Sequence, residues 1–433
     1  MTFQSLFAKL SRIKSDKMLQ NSLWLAIYTA SAAAGGFVYW TIAAHLYSTV
    51  QVGAAGTVTS LVALMSFIST LGLAEMVLRT YANNPSRGSL VVKSLTVVAA
   101  NAAVLGGAWM FLGGGVVGIN QVGGGWHLFA ILFSMVGAGA ITAVGDAVVV
   151  AARRPKLLLI EAGVSNVVRW VATIFLAKSG VDGLLTAYAI GSIVACSVSL
   201  VLARKVVREE EPVKETGGLR RVMHWRYATT NWVSGAVSLV PKAIAPSVVA
   251  VLIGLEEAAY VAVPLMLHSF LCIAPSVAAK TFIAESSRNP DKTMELAKRA
   301  GVGALLFTTI GAVVLSVFGG FLLLILGESY QNNATTTLRL LALAAVVGVP
   351  NYIMDALLNM LPKRKGYLYA NLVGACGVVS IMLLMVQEYG IGWAWVCGQV
   401  FYLINAVFAW KMAHRPGEKP TAGIFERIGL TMW

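Results

Sequence analysis

The sequence is poor in charge. Only 12% of its 433 residues are Asp, Glu, Lys or Arg, whereas 58% are hydrophobic and the mean hydropathy is +0.75. A soluble domain has about twice that charged fraction, so the composition excludes a soluble globular enzyme. Intrinsic disorder and a long coiled coil are excluded as well, because both need many polar or charged residues. The class that remains is a protein that crosses a membrane several times.

Cysteine and the sequence motifs of catalysis are scarce too. The four cysteines lie in apolar runs without CxxC spacing, which is typical of small hydrophobic packing residues; they are Cys196, Cys272, Cys376 and Cys397. We therefore expect no disulfide framework and no metal site. HExxH, GxSxG and P-loop motifs do not occur in the sequence, so we expect neither enzymatic activity nor a cofactor.

Long apolar runs dominate the rest of the chain. A spanning helix needs about 20 mostly apolar residues, and twelve runs of that kind predict an all-α polytopic membrane protein. The predicted spans are 22–46, 52–78, 94–117, 127–151, 157–177, 184–203, 228–254, 258–284, 300–326, 337–360, 367–387 and 390–411. Five prolines within them are expected to bend their helices: Pro241, Pro246, Pro264, Pro275 and Pro350.

The basic residues fix the predicted orientation. With twelve crossings and a cytoplasmic N-terminus, all but four of the 33 Lys and Arg residues lie on the cytoplasmic side. The exceptions are Lys178 and Arg339 on the outer side, and Arg169 and Lys242 inside spans. This bias follows the positive-inside rule and predicts that both termini are cytoplasmic. It also explains the formal charge of +14 without a nucleic-acid partner.

The chain divides into two predicted sets of six helices. Residues 1–20 predict an amphipathic segment in the membrane interface, and 21–203 form the N-terminal half. A hydrophilic stretch at 204–226 is a predicted cytoplasmic linker, followed by the C-terminal half at 227–412 and a cytoplasmic tail at 413–433. Since six is even, the halves would form a parallel repeat about an axis along the membrane normal.

Three side chains fall deep inside predicted spans. Arg169 is midway along the fifth span, Lys242 midway along the seventh, and His268 near the middle of the eighth. A charge at the bilayer centre costs roughly 3 kcal/mol or more, so each cation needs a partner or a watery cavity. We predict that all three bind substrate. For Arg169 an ion pair with Glu161 or another acid is the alternative, and for His268 an ordinary core position.

Polar residues recur every four positions on three of the spans, which places each set on one helix face. The sets are Glu161, Ser165, Arg169 and Thr173; Ser234, Ser238 and Lys242; and Asn351, Asp355, Asn359 and Lys363. Three such stripes cannot all face lipid. We therefore predict that they converge on one hydrated cavity between the halves.

Four acidic residues lie inside spans, toward the predicted cytoplasmic ends: Glu75, Asp146, Glu161 and Asp355. They are the candidates for carrying a coupling H+ or Na+, with Asp355 deepest in its stripe. Ordinary ion pairs at helix ends are the alternative for Glu75, which precedes Arg79 by four residues, and for Asp146, which has arginines nearby.

The charge of the deep residues indicates the ligand. Two deep cations with little acid at the same depth would attract an anion. A diphosphate that links a sugar to a lipid fits, because Arg169 and Lys242 could meet its charge through charge-assisted hydrogen bonds. The sugars would lie in the polar cavity and the lipid tail in the bilayer.

The second predicted span carries a family resemblance. Residues 52–55 (VGAA), 67–74 (FISTLGLA) and then Arg79 resemble the start of polysaccharide and O-antigen flippases of the multidrug/oligosaccharidyl-lipid/polysaccharide exporter superfamily. The arginine that these flippases usually have after helix 1 is replaced here by His45-Leu46-Tyr47. The resemblance implies twelve helices and alternating-access transfer of an isoprenoid-diphosphate-linked oligosaccharide to the outer leaflet, with ion coupling in some relatives.

Two other functions stay open. A drug or metabolite antiporter of the same superfamily would bind cations, so its deep acids should outnumber its deep bases. A glycan polymerase or ligase would need a large outer loop, and the predicted outer loops have about ten residues or fewer. The flippase interpretation implies a cell membrane location, the inner membrane in a bacterium. Its partners would be membrane lipids, the lipid-linked oligosaccharide, H+ or Na+, and other polysaccharide-assembly proteins.

Overall fold

The computed structural model describes residues 17–81, 84–112, 126–209, 223–288, 290–360 and 365–413. Within these ranges the chain is helical and contains no strand. The helices are α1 (Lys17–Leu46), α2 (Thr49–Ser69), α3 (Leu73–Thr80), α4 (Arg87–Leu112), α5 (Trp126–Ala151), α6 (Leu158–Phe175), α7 (Gly180–Glu209), α8 (Met223–Leu252), α9 (Leu255–Leu271), α10 (Ile273–Arg288), α11 (Thr293–Leu324), α12 (Glu328–Met360) and α13 (Lys365–Ala413). The predicted all-α polytopic fold is confirmed.

Eleven segments of the described residues are long and apolar enough to cross a membrane. The last of them, Gly366–Met412, has 47 residues, which at about 1.5 Å per residue is twice the length that one crossing needs. Gly390 interrupts it with φ 74° and ψ 167°, a conformation that glycine adopts readily. Two helices therefore meet at Gly390, where the sequence predicts the boundary between spans 367–387 and 390–411.

The second predicted span, 52–78, is broken. Helix α2 ends at Ser69 and α3 begins at Leu73, because Leu71 and Gly72 have φ values of 49° and 74°. The break leaves carbonyl groups without helical partners, and Asn101 on α4 donates to the Ser69 carbonyl at 3.3 Å. This break explains why the TLGL sequence has a glycine at position 72. Gly72 adopts a left-handed conformation, which costs other residues more energy than it costs glycine.

The eighth predicted span, 258–284, is interrupted as well. Helix α9 ends at Leu271, Cys272 caps it through a hydrogen bond from its amide to the His268 carbonyl at 3.2 Å, and α10 begins at Ile273. Pro275 lies in the first turn of α10, where a proline removes no helical hydrogen bond. The second and eighth spans, which would correspond in a six-plus-six repeat, are both interrupted, the second between Ser69 and Leu73 and the eighth near its middle at Cys272.

Contacts divide the chain into two compact units. The first consists of the described parts of Met1–Ile42, Met65–Gly113 and Gly123–Arg220, and the second includes those of Ala43–Leu64 and Arg221–Trp433. The second unit therefore contains a piece of the predicted N-terminal half. Within it α2 approaches α9 so closely that a Cβ atom on Gly53 would lie 1.8 Å from the Leu255 carbonyl oxygen.

Each unit has its own apolar core. In the first unit, α3, α4, α5 and α7 pack around fully buried side chains such as Tyr81 and Val148. In the second, α8, α9, α12 and α13 pack around Leu341, Met382 and their neighbours. Helix α11 is among the most exposed of the long helices, and large apolar side chains such as Phe307 (69% exposed) and Phe321 (65%) cover its surface.

Some helices extend beyond the predicted spans. Helix α12 begins at Glu328, nine residues before the predicted start, because its first turns are polar and carry no hydropathy signal. Helix α7 continues to Glu209, which forms ion pairs with Arg154 and Lys205. Most of segment 1–20, of linker 204–226 and of tail 413–433 lies outside the described residues, as does Lys363.

Candidate functional site

A cavity of about 320 Å³ lies inside the second unit. It is lined from α8, α9 with its cap, α12 and α13, and three predicted site residues are among the lining: Lys242, His268 and Asp355. Ser238 and Asn351, from the same polar stripes, line it too. Two of the three predicted stripes therefore contribute to one cavity.

Lys242 presents its charge in this cavity. Its Nζ atom donates to Ser269 Oγ at 2.6 Å, and that hydroxyl donates onward to the Leu265 carbonyl at 2.7 Å. Lys242 is exposed, and it makes no ion pair with an acid in the part of the chain that the structure describes. An ammonium group has three donors, so Lys242 can bind an anion while keeping its contact with Ser269.

His268 is held as a neutral ring. Its Nδ1 lies 2.8 Å from the Leu341 carbonyl and must donate to it, which leaves Nε2 as an acceptor for the Cys272 thiol at 3.4 Å. The ring packs edge to face against Trp395. Both nitrogens are thus used within the protein, which favours the alternative that His268 is a buried structural residue in the cavity wall.

Trp395 is a lining residue that the sequence did not indicate. Only 4% of it is exposed, and its Nε1 has no hydrogen-bond partner. A buried donor without a partner is costly, and an anion in the cavity could supply the missing acceptor. Tryptophan is common in apolar helices, so nothing in the sequence distinguishes this one from a packing residue.

Asp355 belongs to a hydrogen-bond network in the cavity wall. The Tyr402 hydroxyl lies 3.1 and 3.0 Å from the two Asp355 carboxyl oxygens, and 2.8 Å from Asn371 Oδ1. The Asn371 amide nitrogen donates to the Tyr367 carbonyl at 3.0 Å. Tyr402 and Asn371 were not predicted as site residues, because they are 47 and 16 residues away from Asp355 along the chain.

Arg169 lies in the first unit, between two tyrosine rings. Its Cζ atom is 4.3 Å from the centroid of Tyr188 and 5.9 Å from that of Tyr39, and its Nε has no hydrogen-bond partner. Gly191 makes room for the side chain, since a Cβ there would lie 2.7 Å from Arg169 Nε. No ion pair joins Arg169 to Glu161 among the described residues, so the two rings take the place of the alternative ion pair.

Two further predicted acids meet in the first unit. The Tyr28 hydroxyl lies 2.9 Å from Asp146 Oδ2 and 3.2 Å from Glu161 Oε2, and Ser199 donates to Asp146 Oδ1 at 2.7 Å. One hydroxyl can donate only one proton. When both carboxyl groups contact it, one of them must carry a proton of its own or a cation must lie nearby.

The other predicted site residues have the following surroundings. Glu75 lies on α3 with its Oε2 atom buried and without a hydrogen-bond partner. On the fifth predicted span, Thr173 bonds back to the Arg169 carbonyl of its own helix at 2.7 Å. The four cysteines are free, and the described residues contain no cluster of three potential metal ligands. Convergence of all three stripes between the halves stays a prediction.

The fold matches solved transporters of the multidrug/oligosaccharidyl-lipid/polysaccharide exporter (MOP) superfamily. A multidrug-resistance MATE family transporter in an inward-facing conformation is 13% identical, with a TM-score of 0.66 over 88% of this chain and 93% of its own. The lipid II flippase MurJ, inward closed, is 11% identical, with a TM-score of 0.66 over 90% and 87%. No protein-family model and no curated protein sequence matches the chain.

A third neighbour is of interest for its pocket. It is a MOP superfamily transporter from Pyrococcus furiosus Vc1 (DSM3638), described by a binding pocket of reverse polarity that suggests a different function. It is 13% identical, with a TM-score of 0.61 over 92% of this chain and 94% of its own. These likenesses show a multi-pass membrane fold that this chain shares with transporters and a flippase.

Proposed function

We propose that the protein is an alternating-access flippase that moves an isoprenoid-diphosphate-linked oligosaccharide from the cytoplasmic to the outer leaflet of the cell membrane. The observation that carries the proposal is Lys242, a cation in the second unit's cavity that no acid neutralises among the described residues. A charge in a membrane-spanning helix needs a counter-charge or water. An anionic ligand supplies the counter-charge only while it is bound.

The cavity can take the charged part of such a ligand. Its volume of about 320 Å³ is at the small end of the range for ligand pockets. It suits a diphosphate with adjoining groups better than a complete oligosaccharide. The lining also provides the unpartnered donor of Trp395, which can bind a phosphate oxygen.

Arg169 offers a second anion-binding group in the first unit. Stacking on Tyr188 holds the guanidinium without neutralising it, because a ring face attracts a cation but carries no net charge. Arginine forms paired hydrogen bonds with phosphate oxygens. A flippase for lipid II, whose structure resembles this one, makes a lipid-linked substrate compatible with the fold.

The acids provide candidates for ion coupling. Asp146 and Glu161 share the hydroxyl of Tyr28 in the first unit, and Asp355 bonds to Tyr402 in the second. Both arrangements can hold a proton that is exchanged during transport. In a bacterium the protein would act in the inner membrane, together with other proteins of cell-surface polysaccharide assembly.

An ion-coupled multidrug or metabolite antiporter is the second candidate. The observation that favours it is the pair of acids around Tyr28, which could bind a cation because their hydrogen-bond partners among the described residues are the hydroxyls of Tyr28 and Ser199. Several structural neighbours are MATE transporters. For this function, loss of the protein should sensitise cells to hydrophobic cations without changing their lipid-linked sugars.

The decisive experiment deletes the gene and extracts the lipids. If the protein is a flippase, an isoprenoid-diphosphate oligosaccharide should accumulate in the inner leaflet of the deletion strain. Expression of the wild-type protein should restore the normal level. Lys242→Ala and Arg169→Ala should fail to restore it at equal expression. If both variants restore it fully, neither residue binds the substrate. If nothing accumulates and cation sensitivity rises instead, the antiporter is the correct function.

A further inference from the structure

The hydroxyl of Tyr402 is surrounded by more acceptors than it can serve. It lies within 3.1 Å of both carboxyl oxygens of Asp355 and 2.8 Å from Asn371 Oδ1. A phenol has one proton to donate, and its oxygen can accept others. Hydrogen bonds to both Asp355 and Asn371 therefore require a second proton from one of these groups.

The amide of Asn371 does not provide that proton. Its Nδ2 donates to the Tyr367 carbonyl at 3.0 Å, and turning the amide over would place Oδ1 against that carbonyl oxygen. Asn371 Oδ1 is therefore an acceptor, and two arrangements fit the distances. With an ionised Asp355, the Tyr402 proton goes to the carboxylate and Asn371 Oδ1 receives none. With a protonated Asp355, the carboxyl group donates to Tyr402 and the Tyr402 proton goes to Asn371, so that all three groups are hydrogen-bonded.

The protonation state of Asp355 determines the net charge of the cavity lining. With a neutral Asp355, Lys242 gives the lining one positive charge. The other titratable groups of the lining are His268 and Cys272 from α9 and its cap, Tyr352 from α12 and Tyr402 from α13. The cysteine and the two tyrosines carry no charge while they keep their protons, and His268 carries none while Nε2 acts as an acceptor. Helices α10 and α11 contribute no titratable side chain to the lining among the described residues.

We propose that Asp355 is a proton-binding residue that controls anion binding at Lys242. When Asp355 is protonated, the cavity is cationic and binds a diphosphate. When Asp355 loses its proton, the carboxylate neutralises the cavity and repels the ligand. Because linkage is reciprocal, binding of the anion draws one proton onto Asp355. The inference rests on the proposed function, since it takes a diphosphate as the ligand of Lys242.

The test measures binding of pyrophosphate to the full chain in lipid nanodiscs by calorimetry, from pH 5 to pH 9. Buffers with different ionisation enthalpies give the number of protons taken up. The comparison is with Asp355→Asn, whose amide can donate to Tyr402 as a protonated carboxyl does but cannot ionise. The ligand's own protonation is common to both proteins and cancels.

We expect the wild-type affinity to fall relative to that of Asp355→Asn by about tenfold or more as the pH rises, the usual size of such couplings. Proton uptake should be greater by up to one per ligand in the wild type. Glu388→Gln removes an exposed acid on α13 and should keep the wild-type profile. His268→Gln should keep it as well, because the histidine is not the group that titrates.

Five results would contradict the proposal. The linkage is wrong if Asp355→Asn retains the wild-type pH profile, or if His268→Gln abolishes it. A wild-type affinity that follows sodium concentration at constant pH identifies Na+ in place of the proton. Tight binding that does not change with pH disproves the linkage but leaves the anion site intact. If pyrophosphate does not bind at any pH, the anion site of the proposed function is wrong too.

Discussion

The guanidinium of Arg169 lies on the face of the Tyr188 ring, with Cζ 4.3 Å from the ring centroid. The ring stabilises the cation where the sequence alone would suggest an acid, and it leaves the outer guanidinium nitrogens available to a ligand. A membrane-spanning helix can thus keep a half-buried cation in place without neutralising its charge.

From this contact we expect flipping to depend on the aromatic ring of Tyr188 and not on its hydroxyl group. Tyr188→Phe keeps the aromatic face and should support near-normal flipping. Tyr188→Leu removes the cation–π contribution of about 0.5–2 kcal/mol and should lower the transport rate or the amount of folded protein. The measurement is the level of lipid-linked oligosaccharide in complemented cells at equal expression. Equal activity of the two variants would show that Arg169 does not depend on this ring.

Lys242 predicts a loss of anion affinity when its charge is removed. Lys242→Gln should weaken pyrophosphate binding by roughly tenfold or more, since a charge-assisted contact contributes about 1.5–3 kcal/mol, whereas Lys242→Arg should retain part of it. Lys280→Gln provides the matched control, because Lys280 is exposed on α10 and does not line the cavity. An equal loss in both Gln variants would point to a general effect of net charge.

The Tyr28 hydroxyl lies beside both Asp146 and Glu161. We therefore expect Tyr28→Phe to change both the stability and the activity of the protein. Without the hydroxyl the two buried acids lose a common hydrogen-bond partner, and the free energy of unfolding should fall by about 1–3 kcal/mol. Thermal unfolding in detergent measures this loss. Tyr389→Phe, at an exposed tyrosine of α13, should not change it. A stable but inactive Tyr28→Phe would assign the hydroxyl to coupling itself.

The close approach of α2 and α9 predicts that Gly53 accepts no side chain. In Gly53→Ala the new Cβ would meet the backbone oxygen of Leu255 at 1.8 Å, so the helices must separate at a cost of about 1–3 kcal/mol. Gly303→Ala in α11 has nothing within 4 Å of its Cβ position and should be neutral or slightly stabilising. Comparable melting temperatures for the two variants would contradict the packing described here.

Hydropathy predicts the all-α polytopic fold because a bilayer leaves few other ways to satisfy the backbone. It also places the final pair of helices on either side of Gly390. The interruptions near Gly72 and Cys272 are not predicted, since a short break leaves an apolar run intact. Hydropathy also fails to place helix ends such as the start of α12 at Glu328. The first turns of that helix are polar and give no hydropathy signal, although the chain there is helical.

The charged residues of the candidate site could be predicted from the sequence, because charges are rare in apolar spans. Lys242 and Asp355 are conspicuous in apolar spans, and both line the same cavity. Their partners are tyrosines and amides, which are ordinary in such helices and become meaningful only through contacts between distant parts of the chain. Tyr28, for example, contacts Glu161, which lies 133 residues away in the sequence. No local sequence pattern predicts that contact.

The length of α11 has a consequence for the surrounding lipid. Its 32 residues extend about 48 Å at 1.5 Å per residue, well beyond a hydrocarbon layer of about 30 Å. Its first turns carry the exposed Lys298 and Arg299, which can contact phospholipid headgroups while the aromatic surface farther along touches acyl chains. Bilayer thickness and the proportion of anionic phospholipid should therefore alter how this helix tilts, and with it the working environment of the whole protein.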